Sequence, residues 1–208
     1  MKDCLLTIVM PSYNIQDYIS KGLESFQQVH PDYKNKFEVL VVNDGSTDDT
    51  ALVAEKILAK DSLLDGRVIT KENGGHGSTI NRGIQEAKGK FFKVIDGDDW
   101  VIPSEFEKFL DTLETVDVDM VITDFTEQHV YNNTTVRNDF VDKYEIGKKH
   151  KGIPDVRIPM HSVTYKTSIL SENKIRLSEK TFYVDIQYTL FPLEYVHSFS
   201  YWNYDIYQ

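Results

Sequence analysis

The sequence predicts an α/β domain in which an open, mainly parallel sheet carries helices on both faces. Three observations point to it. Short apolar runs of strand length alternate with stripes of helical spacing between residues 5 and 125. Several of those runs end in polar turns that contain glycine. One of them, FFKVIDGDDW (Phe91 to Trp100), passes from a buried-strand pattern straight into Asp96, Asp98 and Asp99.

The elements follow in order. Leu5 to Met10 is a strand closed by Pro11, and Ile15, Ile19, Leu23 and Phe26 fall at helical spacing behind it. Phe37 to Val42 is a second strand. Ser46 and Asp49 then form a capping box ahead of a helix whose apolar face is Val53, Ala54, Ile57 and Leu58. Arg67 to Thr70 is a third strand. Ile80, Gly83, Ile84 and Ala87 make a helical stripe that Gly89 stops. Phe91 to Ile95 is the fourth strand, and Pro103 opens a helix that buries Phe106, Phe109, Leu110 and Leu113. Met120 to Phe125 is the fifth strand.

The alternation then breaks. Residues 126–140 read as a hairpin turning near Asn132 and Asn133, and the basic stretch 143–152 (KYEIGKKHKG) as a mobile loop. Ser162 to Lys166, a short helix from about Thr167 and a helix from about Val184 to Tyr195 follow. The chain ends in an aromatic, strand-like run, SFSYWNYDIYQ. It reads as a single domain over 1–208, with halves meeting near residue 125, and its strand-like end leaves open that it is a fragment of a longer chain.

Bulk properties narrow the function. A chain of 208 residues buries roughly 70% of its unfolded surface and needs no covalent staples. One cysteine, Cys4, excludes a disulfide framework. No segment approaches the ~18 apolar residues that span a bilayer, and the N-terminal run is too short for a signal peptide. These features suit the cytoplasm, including the inner face of a membrane. A net charge of −10 argues against nucleic acid as a partner. It also means that any diphosphate ligand needs local positive charge, which a divalent cation among the aspartates would supply. A carboxylate cluster of this kind suits a hard cation, and the alternative is a solvated acidic turn.

Four loops fall at the C-terminal ends of predicted parallel strands: Pro11-Ser12-Tyr13-Asn14, Asn43-Asp44-Gly45-Ser46, Glu72 to Gly77, and Asp96-Gly97-Asp98-Asp99. In an open sheet such loops face one crevice. VMPSYN, VVNDGSTDDT, NGGHGSTINRGIQEAKG and VIDGDDW, in this order and spacing, resemble the N-terminal half of family 2 glycosyltransferases of the GT-A fold. KTFYVDIQYTLFPLEYV is similar, more loosely, to that family's acceptor-side segment. The resemblance implies an inverting enzyme that uses a nucleotide-sugar donor, most simply a UDP-sugar, and a glycan or lipid-linked acceptor. Residues up to about 125 would bind the donor and residues 126–208 the acceptor.

The residues then take candidate roles. Pro11, Tyr13 and Asn14 close the first strand and are candidate donor-binding residues, with Tyr13 either stacking on a nucleobase or packing in the core. Asp44 can accept the N3–H of uracil or thymine, which cytosine lacks, and Asp44-Gly45 is also a turn former. Lys71 and Asn73 to Gly77 either approach the phosphates, with glycine giving backbone access, or form an ordinary turn. His76 reads as a loop histidine, and Asn81 either matches an asparagine that recurs in the family or is a structural residue of the helix start.

The resemblance implies Asp98 as the direct ligand of Mn²⁺ or Mg²⁺. Asp96 would contact the ribose or the metal's surroundings, Asp99 would support the sugar or the metal's surroundings, and Gly97 would leave room for the donor. Inversion needs a base opposite the leaving group, and Asp185 takes that role, with Glu179 as the alternative. The family often carries two acidic residues at this point, and here Val184 holds the first place. His161 and His197 are weaker candidates for acceptor binding or a further metal contact, and Trp202 for stacking on a sugar. Two other readings are a phosphatase that uses Asp96 as nucleophile and a nucleotide-sugar-binding module without turnover. A dinucleotide fold fails, because the first turn lacks its glycines.

Overall fold

The computed structural model describes residues 4–208. The chain alternates as β1 (Leu6–Ser12), α1 (Ile19–Gln27), β2 (Phe37–Asn43), α2 (Thr50–Leu58), β3 (Asp65–Thr70), α3 (His76–Glu86), β4 (Phe91–Val94) and α4 (Pro103–Thr115). There follow β5 (Met120–His129), β6 (Thr134–Asn138), β7 (Lys149–Lys151), β8 (Val163–Lys166), α5 (Thr167–Ser171), α6 (Val184–Leu190) and β9 (Ser198–Tyr207).

The strand order is β3-β2-β1-β4-β8-β5-β9-β7, with β6 as the hairpin partner of β5. β1 pairs in parallel with β2 on one side and β4 on the other, so Leu6 faces both Phe37 and Phe91. The chain winds outward from β1 to β3 and returns to β4, which puts the switch in winding direction between β1 and β4. Ligand crevices of open sheets form beyond the strand ends at such a point. β8 lies antiparallel between β4 and β5. β5 therefore runs in the direction of β4, and β9 runs with β5.

Side-chain alternation along the strands builds two cores. Leu6, Ile8 and Met10 pack under α1, α2 and α4 through Leu23, Phe26, Ile57, Phe106 and Leu110. Val9, Val42, Phe92 and Val94 pack on the opposite face against Ile80 and Ile84 of α3 and Val184 and Tyr188 of α6. Burial on both faces explains why these strands read as unbroken apolar runs.

Several expectations change. α2 begins at Thr50 without a capping box. Ser46 Oγ instead accepts from the Asn14 amide at 3.0 Å, and Asp48 Oδ1 accepts from Thr50 N at 3.0 Å. α3 ends at Glu86, and Gly89 donates its N–H to Thr7 Oγ1 at 2.9 Å rather than stopping the helix. Residues 143–152 are no mobile loop. They contain the edge strand β7, antiparallel to β9, and the buried Tyr144 ring sits 5.0 Å from Phe199. Lys149 and Lys151 suit such an edge, because charge discourages further pairing. The hairpin turns at Asn133, whose φ is 55°.

Candidate active site

The four strand-end loops meet at one cleft of about 700 Å³. Its walls include Pro11, Tyr13, Asp44, Asn73, His76, Asp96 and Asp98. Tyr13 is 50% exposed on this wall, not packed in the core.

Asp44 is the hub of one wall and is 2% exposed. Its Oδ1 accepts from Lys71 Nζ at 2.7 Å, Gly74 N at 2.9 Å and Ser78 Oγ at 3.3 Å, while Oδ2 accepts from Gly75 N at 2.7 Å. Burial opposes ionisation, but the Lys71 ammonium and the two glycine amides outweigh it and hold the carboxyl below its ordinary range. Lys71 also donates to the Glu72 carbonyl and to Ser78 Oγ. Its three protons are thus spent within the wall. Asn73 Nδ2 donates to the Asp44 carbonyl at 3.0 Å. Asn14 ties the first two loops together, its Oδ1 accepting from Thr47 N at 2.8 Å.

The aspartate loop is held from the far end of the chain. Tyr207, buried at the end of β9, donates to Asp99 Oδ2 and lies 3.3 Å from Asp96 Oδ2. Its oxygen also accepts from the Asp96 amide at 3.2 Å. Burial, with Asp96 and Asp98 nearby, pushes the Asp99 carboxyl up to about 7. Gly97 is needed by the protein itself, since a Cβ there would meet Ile15 Cδ1 at 2.4 Å, Ser12 Oγ at 2.6 Å and Pro11 O at 2.8 Å. Asp98 projects into solvent and also borders a second cleft that contains His161, Tyr207 and Gln208.

His76 opens α3 with Nε2 3.2 Å from Asp96 Oδ1, close enough for an ion pair but off the axis of a hydrogen bond. Burial favours the neutral ring, but Asp96, then Asp185 and Asp44, raise its pKa. The same pair holds Asp96 ionised against the cost of burial. Asp185 sits half-buried in the first turn of α6, and its charge reaches both His76 and His161. Burial lowers the His161 pKa, and its ring packs 4.8 Å from Tyr207 with Nδ1 unpartnered.

Other candidates lie elsewhere. Glu179 accepts from Arg176 at 3.1 Å and borders a separate pocket behind α3. Asn81 is structural, exchanging hydrogen bonds of 2.9 and 2.8 Å with the Leu177 backbone. His197 lies at the start of β9, its amide on Asp119. Trp202 stacks on Tyr204 and covers Gly147.

The family model for Glycosyl transferase family 2 matches residues 7–174. The chain belongs to glycosyltransferase family 2. It is 32% identical over 145 residues to the putative glycosyltransferase EpsH of Bacillus subtilis, covering 70% of this chain and 40% of that one. S. aureus TarS residues 1–349, solved in complex with UDP-GlcNAc, superposes with a TM-score of 0.72 at 22% identity, over 98% of this chain and 57% of that one. The mannosyltransferase PcManGT from Pyrobaculum calidifontis, in complex with GDP-Man and Mn²⁺, gives 0.70 at 18% identity, over 95% and 54%. The likeness to these structures shows the GT-A fold. This family 2 chain spans 40% of EpsH and just over half of each structural neighbour.

No group of three or more His, Cys, Asp or Glu side chains among the described residues is arranged to hold a metal. An arriving cation would meet the exposed Asp98 first, with the partly buried Asp96 and Asp99 behind it. Mg²⁺-like ions bind through one or two carboxylates when substrate phosphates complete the sphere. The residues fit a cation of that kind, arriving with a diphosphate. Membership of family 2 sets aside the phosphatase reading. Among the described residues, no helix is long and apolar enough to cross a membrane.

The residues that sequence reasoning missed are Tyr207 and Lys180. Tyr207 carries no local signal, being 108 residues from Asp99. Lys180 borders the cleft beside Thr181 and Phe182.

Proposed function

We propose that this family 2 domain transfers a sugar, with inversion, from a nucleoside-diphosphate donor to a hydroxyl of a glycan or lipid-linked acceptor. The observation that carries the reading is the convergence of Tyr13, Asp44, Asp96 and Asp98 on one cleft at the sheet's switch point. The UDP-GlcNAc and GDP-Man of the structural neighbours support a nucleotide sugar there, hexosyl or N-acetylhexosaminyl.

Tyr13 stacks on the base. Asp44 Oδ2 has a single protein donor, Gly75 N, so it keeps a lone pair for the N3–H of uracil. Asp98 holds Mn²⁺ or Mg²⁺, with Asp96 and Asp99 behind it. When bound, the cation neutralises charge on the departing diphosphate. Asp185 takes the proton of the acceptor hydroxyl as its oxygen bonds to the anomeric carbon and the bond to the diphosphate oxygen breaks. Residues to about 125 serve the donor and residues 126–208 the acceptor, in the cytoplasm or at the inner face of its membrane.

Calorimetry with UDP and GDP, in Mn²⁺ and after EDTA, tests the reading. UDP should bind in Mn²⁺ and weaken at least about tenfold after EDTA, as loss of a charge-assisted contact worth over ~1.4 kcal/mol requires. Equal affinity in both removes the metal from the reading. Turnover of UDP-hexoses or UDP-GlcNAc separates an enzyme from a binding module.

A further inference from the structure

The cleft is acidic, with Asp44, Asp96 and Asp98 on its walls. A diphosphate adds more negative charge, and anions held close together out of bulk water need cations. Lys71 has no free proton to offer, since its three go to Asp44, Glu72 O and Ser78. His76 faces Asp96. Lys180 also borders the cleft with an exposed side chain, and its ammonium has no hydrogen-bond or ion-pair partner among the described residues.

The Lys180 backbone is fixed although its side chain is exposed. Its N–H donates to the Gly74 carbonyl at 2.7 Å. Its φ is 52°, a left-handed value uncommon outside glycine. The glycine loop makes room for it. Gly75 has φ +83°, and a Cβ there would meet Lys180 N at 3.1 Å. A Cβ on Gly77 would meet Ser178 O at 2.1 Å. Glycines that read from sequence as access for phosphates thus seat the 178–180 segment against the donor loop. Strained backbone persists where surrounding contacts over-determine it, and such positions cluster at functional sites.

We infer that Lys180 is the cation this chain itself supplies to the donor's diphosphate, and that its contact sets the segment running on to Asp185 against the bound donor. The inference rests on the nucleotide-sugar reading above. It adds a residue to donor recognition and couples donor binding to the position of the proposed base.

The test compares wild type with Lys180→Met, which keeps the apolar stem, and Lys180→Arg, which keeps the charge. Lys60→Met, an exposed lysine beyond the far end of α2, controls for net charge. The probes are UDP, uridine and inorganic pyrophosphate, each with Mg²⁺. Lys180→Met should weaken UDP and pyrophosphate roughly five- to twentyfold, as expected for one partly exposed charge-assisted contact. Uridine should bind unchanged, the salt dependence of UDP binding should flatten, and Lys180→Arg should restore most of the loss.

Unchanged UDP and pyrophosphate affinity in Lys180→Met overturns the inference and leaves the nucleotide-sugar reading standing. An equal loss for uridine also overturns it, because the effect would then lie in the loop's structure. If wild type binds pyrophosphate as well as UDP and Lys180→Met weakens both, the uridine reading fails and Lys180 stands. Wild-type protein that binds neither overturns both.

Discussion

Lys71 Nζ lies 2.7 Å from Asp44 Oδ1, and the Lys71 side chain is 20% exposed while that of Asp44 is 3% exposed. The pair joins the loop after β3 to the loop after β2. Asp44 also takes the amides of Gly74 and Gly75, so the ion pair sets the shape of the turn that receives Lys180. A lysine at a strand end would ordinarily be read as a hand for the ligand. Here its work is to keep a buried carboxylate charged and correctly aimed.

Lys71→Met should therefore destabilise the fold and blunt base recognition together. Breaking a buried pair leaves an uncompensated charge, and allowing for partial exposure the loss should be about 2–3 kcal/mol. The sign with pH is fixed. The folded Asp44 pKa lies below its ordinary value of 3.8. Its contribution is present in full above that value and is lost as pH falls through the folded pKa. Without Lys71, acid unfolding should begin at higher pH. Urea unfolding of both proteins across the acid range measures this, and superimposable curves would refute the role.

Tyr207→Phe removes one hydroxyl and three contacts, to Asp99, to Asp96 and from the Asp96 amide. A stability loss of about 1–2 kcal/mol is expected, since a buried amide loses its acceptor. The functional signature is a split. UDP binding with Mn²⁺ should weaken several-fold as the Asp96–Asp99 loop loosens, while uridine binding should hold. Equal losses for both ligands would show that Tyr207 supports the whole cleft and not the aspartate loop.

Lys93 offers an independent pH test. It is fully buried in β4, with Nζ 2.6 Å from the His161 carbonyl and 3.4 Å from that of Val163. Burial brings its pKa from 10.5 down to about 7. Between those values the unfolded chain binds a proton that the folded chain does not, so stability should rise with pH across that window. Below about 7 both states are protonated and the burial penalty is felt in full. Urea unfolding at about pH 7 and about pH 9.5 should show this rise in wild type and not in Lys93→Met. Parallel behaviour of the two proteins would mean that Lys93 stays charged, held by its two carbonyls.

Much of this was legible in the sequence, for local reasons. Apolar runs such as Phe37 to Val42 and stripes such as Phe106, Phe109, Leu110 and Leu113 are written in consecutive residues. Strand-end loops follow from the winding of the sheet, so the joint placement of Asp44, Asp96 and Asp98 on one cleft followed as well. What escaped depends on partners far along the chain. The antiparallel insertion of β8 between β4 and β5 is a matter of long-range pairing. The stretch 143–152 has no apolar period, but an edge strand needs only backbone partners and one buried ring, Tyr144. A sequence also does not say whether a glycine makes room for a ligand or for the chain. Gly97 and Gly77 make room for the chain.

Asp185→Asn and Asp98→Asn should separate chemistry from binding. Asp185 is half-buried in the first turn of α6, away from the donor-side loops in sequence. Asparagine keeps its size and loses its ability to take a proton. A general base contributes about 10²–10⁴-fold, so transfer should fall by that order while UDP binding with Mn²⁺ changes little. Asp98 is exposed between the two clefts, and Asp98→Asn should show the reverse, with weaker metal-dependent UDP binding and an intact uridine contact. Both variants need assay side by side with a working donor and acceptor, since either alone would look merely inactive. If Asp185→Asn turns over at near wild-type rate, the base lies elsewhere. Glu179 is the remaining candidate, although its contact with Arg176 in a separate pocket means that the segment would have to rearrange on binding. If Asp185→Asn instead loses UDP and Mn²⁺ together with turnover, the carboxylate acts through His76 on the aspartate loop, and its role is to hold the donor side in place.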